Sequence, residues 1–252
     1  MIHFVGAGCG AADLITVRGQ RLLEQADVII YAGSLVNPAL LTCAKEGARI
    51  YNSAEMTLEE VLSVMFDAEA QRLTTVRLHT GDPCLYGAIR EQMDALDHKG
   101  IAYDYTPGVS SFCGAATALN MEYTLPNVSQ SVVITRMAGR TPVPERESVR
   151  AFAQHRATMV LFLSTGLLEK TQAELLAGGY EPDTPAAIVY KASWPDERTY
   201  LCTVSTLAAC AKENGVSKTA LIIVGDAVRQ SGYARSKLYH PAFSTGFRPA
   251  KE

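Results

Sequence analysis

Short apolar runs alternate along the chain with segments whose apolar residues recur every three or four positions. In the first half the runs have strand length and predict β-strands at residues 2–5, 28–31, 48–51, 75–78 and 101–105. The helical spacing between them predicts helices at residues 13–25, from 37, at 57–70, from 88 to before Gly100, and from about 107. Strands that alternate with helices in this way form a mostly parallel sheet with helices on both faces.

Two of the predicted helices begin at a recognisable capping signal. Asn37 precedes Pro38, and asparagine caps a helix while proline suits its first turn. Thr57 and Glu60 have the spacing of a capping box, in which each side chain accepts a hydrogen bond from the backbone N–H of the other. These signals indicate where the two helices begin.

The alternation starts again after residue 127 and fills the second half. Its strands are predicted at residues 132–135, 159–163, 187–190, 200–203 and 221–224, and its helices at 147–155, 167–177 and 205–213. Strands 187–190 and 200–203 leave no room for a helix between them, which predicts a hairpin and therefore a mixed sheet. We predict two α/β domains, residues 1–120 with a parallel sheet and 121–252 with a mixed sheet, and an active site in the cleft between them.

The composition is that of an ordinary globular enzyme. Charged residues make up 19% and apolar residues 48% of the chain, and the net charge of −3 gives no basic field for nucleic acid or an anionic membrane. The apolar runs are too short to span a bilayer, and the chain opens directly into a strand, so we expect a cytoplasmic protein. No C-x-x-C pair occurs among the six cysteines, which predicts neither a disulfide framework nor a metal site.

Loops rich in Gly, Ser, Pro or Asp follow three of the predicted strands, at residues 6–10, 81–87 and 107–111. Ligands bind at the carboxyl ends of parallel strands, where these loops lie. The first loop fits the dinucleotide fingerprint G-x-G-x-x-A, but that site also needs an acidic residue at the end of the second strand. Asp27 precedes that strand instead, so the fingerprint is incomplete. A loop that turns tightly without binding a ligand is the other interpretation.

The second and third loops each allow two interpretations. Asp82 follows a buried strand and can accept a ligand's hydroxyl or ammonium group, or it can form a turn with Pro83. Ser110 and Ser111 can cap the next helix, or their hydroxyls and the free backbone N–H groups can hold a carboxylate or an adenine edge. Neither loop decides between its two interpretations by itself.

Taken together and in this order, the motifs resemble the tetrapyrrole (corrin/porphyrin) methyltransferase family over nearly the whole chain. The glycine loop continues into Asp13-Leu14-Ile15-Thr16, and the other two motifs are Gly81-Asp82-Pro83-x-x-Tyr86-Gly87 and Pro107-Gly108-Val109-Ser110-Ser111. Outside these motifs, the segments at 31–35, 122–126, 134–144 and 190–195 are similar to the branch that methylates C-11 of precorrin-4. One departure is Cys9, where the family usually has proline.

The resemblance implies an S-adenosylmethionine-dependent C-methyltransferase that acts on precorrin-4 or cobalt-precorrin-4 in cobalamin biosynthesis, releases S-adenosylhomocysteine and works as a homodimer. It requires no metal. It places the cofactor contacts at Cys9, Thr80, Gly81, Asp82, Ser110, Ser111, Leu163 and Ala192. If a base removes a proton after methyl transfer, Asp82 or a water near Tyr86 is the candidate. The alternatives are a sibling that methylates another carbon of a precorrin or of uroporphyrinogen, the diphthine-forming branch, and a corrinoid carrier without catalysis.

The substrate carries many carboxylates while the protein is net negative, so cationic side chains must line its site. Arg136, Arg140 and Lys191 are the first candidates, and Arg18 and Arg90 are weaker ones. Arginine suits this role because its guanidinium binds a carboxylate through two parallel hydrogen bonds. For each residue the alternative is a solvated surface charge.

Cys9 lies between a strand end and a predicted helix start, with a glycine on each side. The positive end of a helix dipole favours a reactive thiolate. We therefore predict that Cys9 is the fastest thiol to alkylate and that bound cofactor protects it. The alternative is that its side chain points away and only its backbone touches the ligand.

Overall fold

The computed structural model of the chain describes residues 1–251. Its contacts form two compact units. The first contains Met1–Ala115 together with Lys191–Glu197, and the second contains Ala116–Tyr190 and the chain from Arg198 onward. The chain therefore leaves the first unit, returns to it for a short segment and leaves again. The division into domains at residue 120 stays a prediction.

The first unit is built on a parallel sheet, as predicted. Its strands are β1 (Ile2–Gly6), β2 (Val28–Tyr31), β3 (Arg49–Asn52), β4 (Thr75–His79) and β5 (Tyr103–Thr106). They lie in the order β3-β2-β4-β1-β5, and every neighbouring pair is parallel. The loops that follow β4, β1 and β5 consequently lie side by side at the carboxyl edge of the sheet.

Alternate strand residues of the first sheet pack on its two faces. Phe4 and Ile30 meet Met65 on one face, whereas Val5 and Ile29 belong to the apolar cluster on the other face. The helices are α1 (Val17–Gln25), α2 (Leu58–Ala70), α3 (Arg90–His98) and α4 (Ser111–Ala118), the last of which runs across the boundary of the unit.

Two predicted helix starts were partly wrong. The predicted helix 13–25 is a 3-10 turn at Ala12–Leu14 followed by α1, because the hydroxyl of Thr16 accepts the N–H of Gly19 and begins the α-helix there. Asn37 does cap, by accepting the N–H of Ala39, but the element after it is the 3-10 helix Pro38–Cys43. The capping box of Thr57 and Glu60 is confirmed at the start of α2.

The second unit contains a mixed sheet, as predicted. Its strands are β6 (Val132–Arg136), β7 (Thr158–Phe162), β8 (Pro185–Tyr190), β9 (Arg198–Thr203) and β10 (Ala220–Val224). In the order β6-β7-β10-β8-β9, only β6 and β7 are parallel. The predicted hairpin is confirmed by the antiparallel pairing of β8 with β9.

Three α-helices pack on the second sheet, each shorter than predicted: α5 (Val149–Ala153), α6 (Leu168–Ala177) and α7 (Leu207–Glu213). A 3-10 turn precedes each of them, at Glu145–Glu147, Thr165–Leu167 and Val204–Thr206, and takes up the missing residues of α6 and α7. Before α5 the hydroxyl of Ser148 accepts the N–H of Ala151, which starts the α-helix one residue after the turn. Within residues 1–251 no helix has the length and apolar content to cross a membrane.

Candidate functional site

Backbone hydrogen bonds join the glycine loop after β1 to the loop after β4. Gly8 donates its N–H to the carbonyl of Gly81 at 3.3 Å, and Gly81 donates to the carbonyl of Gly8 at 2.8 Å. Both glycines have a positive φ, +81° at Gly8 and +60° at Gly81, a conformation that other residues adopt only with strain. The two motifs are therefore one continuous backbone surface in the structure.

The third loop closes on the same point. A β-carbon on Gly6 would lie 2.5 Å from the nitrogen of Gly108 and 2.7 Å from the carbonyl oxygen of Gly81. A β-carbon on Gly108 would overlap that same carbonyl oxygen. Glycine is needed at both positions because three loops approach each other backbone to backbone. The three motifs that the sequence singled out are thus brought together within the first unit.

Asp82 connects these loops through its carboxylate. One oxygen accepts the N–H of Cys84 at 2.9 Å and the hydroxyl of Tyr105, and the other accepts the N–H of Gly108 at 3.0 Å. Partial burial acts to raise the pKa of Asp82, but these donors outweigh it and hold that pKa below its usual range. Asp82 therefore both forms the predicted turn and holds the third loop.

Tyr105 is the partner that sequence reasoning missed. Burial and the neighbouring carboxylate of Asp82 raise the pKa of its hydroxyl well above the ordinary value, so the hydroxyl keeps its proton and donates it in the hydrogen bond. In the sequence Tyr105 is simply an alternating residue of a predicted strand. Its role depends on β5 lying next to β1 and near β4, which no local pattern shows.

Thr80 and His79 present buried polar atoms at the start of the second loop. Among residues 1–251, Oγ1 of Thr80 and Nε2 of His79 have no hydrogen-bond partner in the protein. An unsatisfied buried hydroxyl costs free energy, and a ligand atom at the loop can satisfy it. The position of Thr80 is consistent with its predicted contact to the cofactor.

A buried arginine lies in β4, two residues before the end of the strand that leads into the same loop. Arg77 donates to Oε1 of Gln92 and to the carbonyl of Ile30, both at 3.1 Å, and Gln92 donates to the carbonyl of Ala88 at 3.0 Å. Arg77 forms no ion pair with a carboxylate of residues 1–251, and burial lowers its pKa to about 10. Burial together with the charge of Arg77 lowers the pKa of His79 to about 3, which keeps its imidazole neutral.

The structure contradicts the expectation that the thiol of Cys9 is open to solvent. Cys9 is only 5% exposed. Its sulfur lies 3.2 Å from Oγ of Ser193, whose hydroxyl also accepts the N–H of Ala11 at 3.0 Å. A β-carbon on Gly114 would lie 2.7 Å from the same sulfur. The neighbouring glycines leave space that other parts of the first unit fill.

The segment Lys191–Glu197 supplies that cover. Ala192 is buried, and a β-carbon on Gly10 would lie 2.7 Å from its carbonyl oxygen and would overlap the ring of Trp194. Lys191 forms an ion pair with Asp196 at 2.6 Å, and the N–H of Ser193 donates to Glu197 at 2.5 Å. The predicted cofactor residue Ala192 therefore lies beside the glycine loop, while the ammonium of Lys191 is held by a carboxylate of its own segment.

The remaining predicted site residues of the first unit lie in the loops already described. Tyr86 has a positive φ of 57° and is 44% exposed. Ser110 is buried, and its carbonyl accepts the N–H groups of Cys113 and Gly114, so it starts the first turn of α4. Ser111 is half-buried.

In the second unit, Leu163 directly follows β7. It is 66% exposed and has a positive φ of 51°. A bulky residue rarely adopts this conformation, and such strain is concentrated at functional positions. The next residue, Ser164, holds the chain by accepting the N–H of Met137 and donating to the carbonyl of Phe162.

The two predicted substrate arginines differ in their surroundings. Arg136 ends β6, and its guanidinium donates to the carbonyls of Thr141 at 3.2 Å and Pro142 at 2.7 Å, so it holds the following loop. Arg140 lies in that loop with an exposed side chain. No group of His, Cys, Asp or Glu residues in the described chain is arranged to hold a metal ion.

Comparison with known proteins gives a consistent set of similarities. Residues 1–208 match the family model described as Tetrapyrrole (Corrin/Porphyrin) Methylases. The chain is 51% identical over 247 residues to a cobalt-precorrin-4 C(11)-methyltransferase of Methanocaldococcus jannaschii, covering 98% of this chain and 95% of that one. It is 45% identical over 242 residues to a precorrin-4 C(11)-methyltransferase of Mycobacterium tuberculosis, covering 96% of each.

Solved structures agree with the sequence comparison. The crystal structure of a cobalt precorrin-4 methyltransferase, CbiF, superposes with a TM-score of 0.88 at 45% identity, covering 90% of this chain and 95% of that one. A uroporphyrin-III C-methyltransferase from Thermus thermophilus, solved with S-adenosylhomocysteine, has a TM-score of 0.76 at 28% identity and covers 91% of this chain and 99% of that one.

Proposed function

This chain belongs to the tetrapyrrole (corrin/porphyrin) methylases, and from that premise we propose that it methylates C-11 of precorrin-4 or cobalt-precorrin-4 with S-adenosylmethionine. The observation that carries the proposal is identity of 51% and 45% over nearly the whole chain to two enzymes named for that reaction. The sibling that acts on uroporphyrinogen is less favoured, because the uroporphyrin-III enzyme is only 28% identical.

The first unit fits S-adenosylmethionine on three grounds. Gly6, Gly81 and Gly108 let three loops pack so closely that a β-carbon on Gly6 or Gly108 would clash, which leaves one continuous backbone surface at the carboxyl edge of the sheet. The buried hydroxyl of Thr80 has no hydrogen-bond partner among residues 1–251. A family member of known structure was solved with S-adenosylhomocysteine, the product form of this cofactor. We propose that the loops of Cys9, Thr80–Asp82, Ser110–Ser111 and Ala192 hold the cofactor, and the contact expected at Leu163 stays a prediction.

When bound, the cofactor supplies an activated methyl group, so the protein needs to position the two reactants. Correct positioning can lower a reaction barrier by about 7–11 kcal/mol. Asp82 serves this purpose by holding the second and third loops in register through Cys84, Gly108 and Tyr105. Its lowered pKa makes it a weak proton acceptor, so we assign it a positioning role and leave proton removal to a water near the half-exposed Tyr86.

We propose that Arg140 binds the carboxylates of the substrate, because its guanidinium can do so without first leaving another partner among residues 1–251. Arg136 and Lys191 are already engaged, by loop carbonyls and by Asp196 respectively. Either can contribute only by sharing or exchanging that partner. Arg140→Ala should therefore raise KM for the tetrapyrrole with little change in KM for the cofactor.

One incubation tests the proposed reaction. Purified protein is given ¹³C-methyl-labelled S-adenosylmethionine and, in separate tubes, each available precorrin or cobalt-precorrin. We expect label at C-11 of the precorrin-4 product by NMR spectroscopy. Label at another carbon supports the sibling function, while tight substrate binding without any labelled product supports a carrier.

On the same premise we propose that the enzyme is a cytoplasmic homodimer. Light scattering after gel filtration should give twice the mass of one chain. A monomer at micromolar concentration with full activity would contradict the dimer.

A further inference from the structure

The C-terminal segment, residues 231–251, differs in charge from the rest of the chain. It contains Arg235, Lys237, Arg248 and Lys251, and the only acidic residue after Asp226 is the terminal Glu252, although the whole protein carries a net charge of −3. It also lies beyond the residues that the family model matches. A cluster of cations on an acidic protein is a local field that attracts anions.

This segment is folded around one of its own cations. The guanidinium of Arg248 donates to the carbonyls of Leu238, His240 and Phe243 at 2.9–3.3 Å. Backbone bonds add to this: Lys251 donates its N–H to Pro241 at 2.9 Å, and Thr245 pairs with Arg248. These hydrogen bonds fold residues 237–251 back on themselves, so that Lys237 and Lys251 belong to the same compact turn structure.

The other three cations are available to a ligand. Arg235, Lys237 and Lys251 are exposed, and none of them forms an ion pair with any residue from 1 to 251. Arg248 differs because its Nη2 already donates to three carbonyls. An anion can therefore bind the three exposed side chains without breaking any ion pair within residues 1–251.

Large apolar side chains are exposed on the same segment. Tyr239 is 77% exposed and Phe247 is fully exposed. The others are Tyr233, Leu238 and Phe243. Burying such side chains is favourable, so several of them left in water within one short segment mark an interaction surface. Four of the five are aromatic, which suits a flat, conjugated partner.

We propose that residues 231–251 form a docking surface for the polycarboxylate tetrapyrrole itself, with carboxylates on Arg235, Lys237 and Lys251 and the macrocycle face on Tyr239 and Phe247. This inference rests on the proposed function, which supplies a flat polyanion as substrate. Exposed aromatic side chains and cations without an ion pair among residues 1–251 occur in one segment and match both features of that molecule.

The test compares two triple variants that remove equal charge. Arg235→Ser, Lys237→Ser and Lys251→Ser removes the proposed contacts, and Lys170→Ser, Lys212→Ser and Lys218→Ser removes three exposed lysines elsewhere in the second unit. Thermal unfolding first establishes that both variants fold. We expect the first variant to raise KM for the tetrapyrrole about tenfold, with kcat and the KM for the cofactor unchanged. A tenfold change corresponds to about 1.4 kcal/mol, which is the combined contribution expected from three exposed ion pairs.

Salt dependence and direct binding complete the experiment. For the wild type and the control variant, kcat/KM should fall as salt rises, and for the first variant it should fall less steeply. A stable porphyrin polycarboxylate should bind more weakly to Tyr239→Ser/Phe247→Ser than to the wild type, as read from its absorption spectrum. If both triple variants behave alike, or if a single-stranded oligonucleotide or an anionic vesicle displaces the porphyrin, the inference is wrong.

The two proposals fail separately. If no precorrin is methylated but the porphyrin still binds through these residues, the docking surface stands and the proposed reaction does not. If methylation occurs at C-11 with no dependence on residues 231–251, the reaction stands and the docking surface does not.

Discussion

The hydroxyl of Tyr105 donates a hydrogen bond to the carboxylate of Asp82, which joins the end of β5 to the loop after β4. The two strands are not neighbours, since β1 lies between them in the sheet. The contact therefore passes over the end of β1, where the glycine loop begins. One side-chain pair fixes the spacing of all three loops.

Tyr105→Phe should loosen this arrangement without emptying the core. Removing the hydroxyl should lower the free energy of unfolding by about 1 kcal/mol, because the contact is charge-assisted but partly solvated. The free energy of cofactor binding, measured by titration calorimetry, should weaken by more than the free energy of unfolding falls. Tyr103→Phe is the matched control, since its hydroxyl bonds Asp97 on the surface. Equal effects of the two variants on cofactor affinity would contradict a role for Tyr105.

The same pair predicts how stability changes in acid. The pKa of Asp82 is lower in the folded protein than in the unfolded chain, where it is near 3.8. The ionised carboxylate therefore contributes its full share of the free energy of unfolding above the unfolded-state pKa, and this share is lost as pH falls through the folded-state pKa. Without the hydroxyl of Tyr105 the folded pKa rises, and the loss begins at higher pH. Acid unfolding followed by circular dichroism should therefore show Tyr105→Phe unfolding at a higher pH than the wild type.

Gly108→Ala tests the close approach of the loops. The added β-carbon would overlap the carbonyl oxygen of Gly81, and forcing extra volume into a packed site costs about 1–3 kcal/mol. Cofactor binding should weaken strongly in the same variant. Gly166→Ala is the control, because only one atom lies within 4 Å of its added carbon, at 3.9 Å. A Gly108→Ala protein as stable as the control would show that the loops have room to separate.

The cysteines should alkylate in an order opposite to the one expected from the sequence. Cys84 and Cys113 are exposed, whereas Cys9 is buried. Burial raises the pKa of Cys84 and of Cys113, so iodoacetamide should label them slowly at neutral pH and faster as pH rises above 9. Burial also raises the pKa of Cys202 to about 12. Peptide mapping should find Cys9 and Cys202 labelled last; early labelling of Cys9 in folded protein would contradict the structure.

A double-mutant cycle tests the buried hydrogen bond between Arg77 and Gln92. Arg77→Met leaves Oε1 of Gln92 without its donor, which should cost about 1–3 kcal/mol. Adding Gln92→Leu removes the group that lost its donor, so the double variant should be less destabilised than the sum of the singles. Urea unfolding provides the free energies. Strict additivity would show that the two side chains do not act together.

Much of the fold followed from local pattern, because strands and helices of this chain bury the faces that their periodicity predicts. All ten predicted strands are present within about two residues of their predicted bounds, and the hairpin of β8 and β9 followed from the short distance between two strands. Helix starts were less accurate. Thr16 and Ser148 cap α-helices after a 3-10 turn, and the sequence does not show which of two adjacent turns will be α.

The candidate site was predicted as motifs but not as contacts. The family resemblance singled out Gly8, Gly81 and Gly108, and the structure brings them together. The burial of Cys9 depends on Ser193, far away in the chain. Likewise, Arg136 appeared free in the sequence because its acceptors are backbone carbonyls, which every residue has. Contacts of this kind depend on how the folded chain brings distant residues together, so the local sequence around either residue does not predict them.

The return of Lys191–Glu197 to the first unit has a consequence for the nascent chain. Synthesis proceeds from the N-terminus at about 5–20 residues per second, so β1–β5 leave the ribosome well before Trp194 is made. During that interval Gly10 lacks the indole ring that covers it, and Cys9 lacks the hydroxyl of Ser193. The thiol that is shielded in the finished protein thus has less cover while the protein is being made. A fragment that ends at Ala115 would lack that part of the cover permanently.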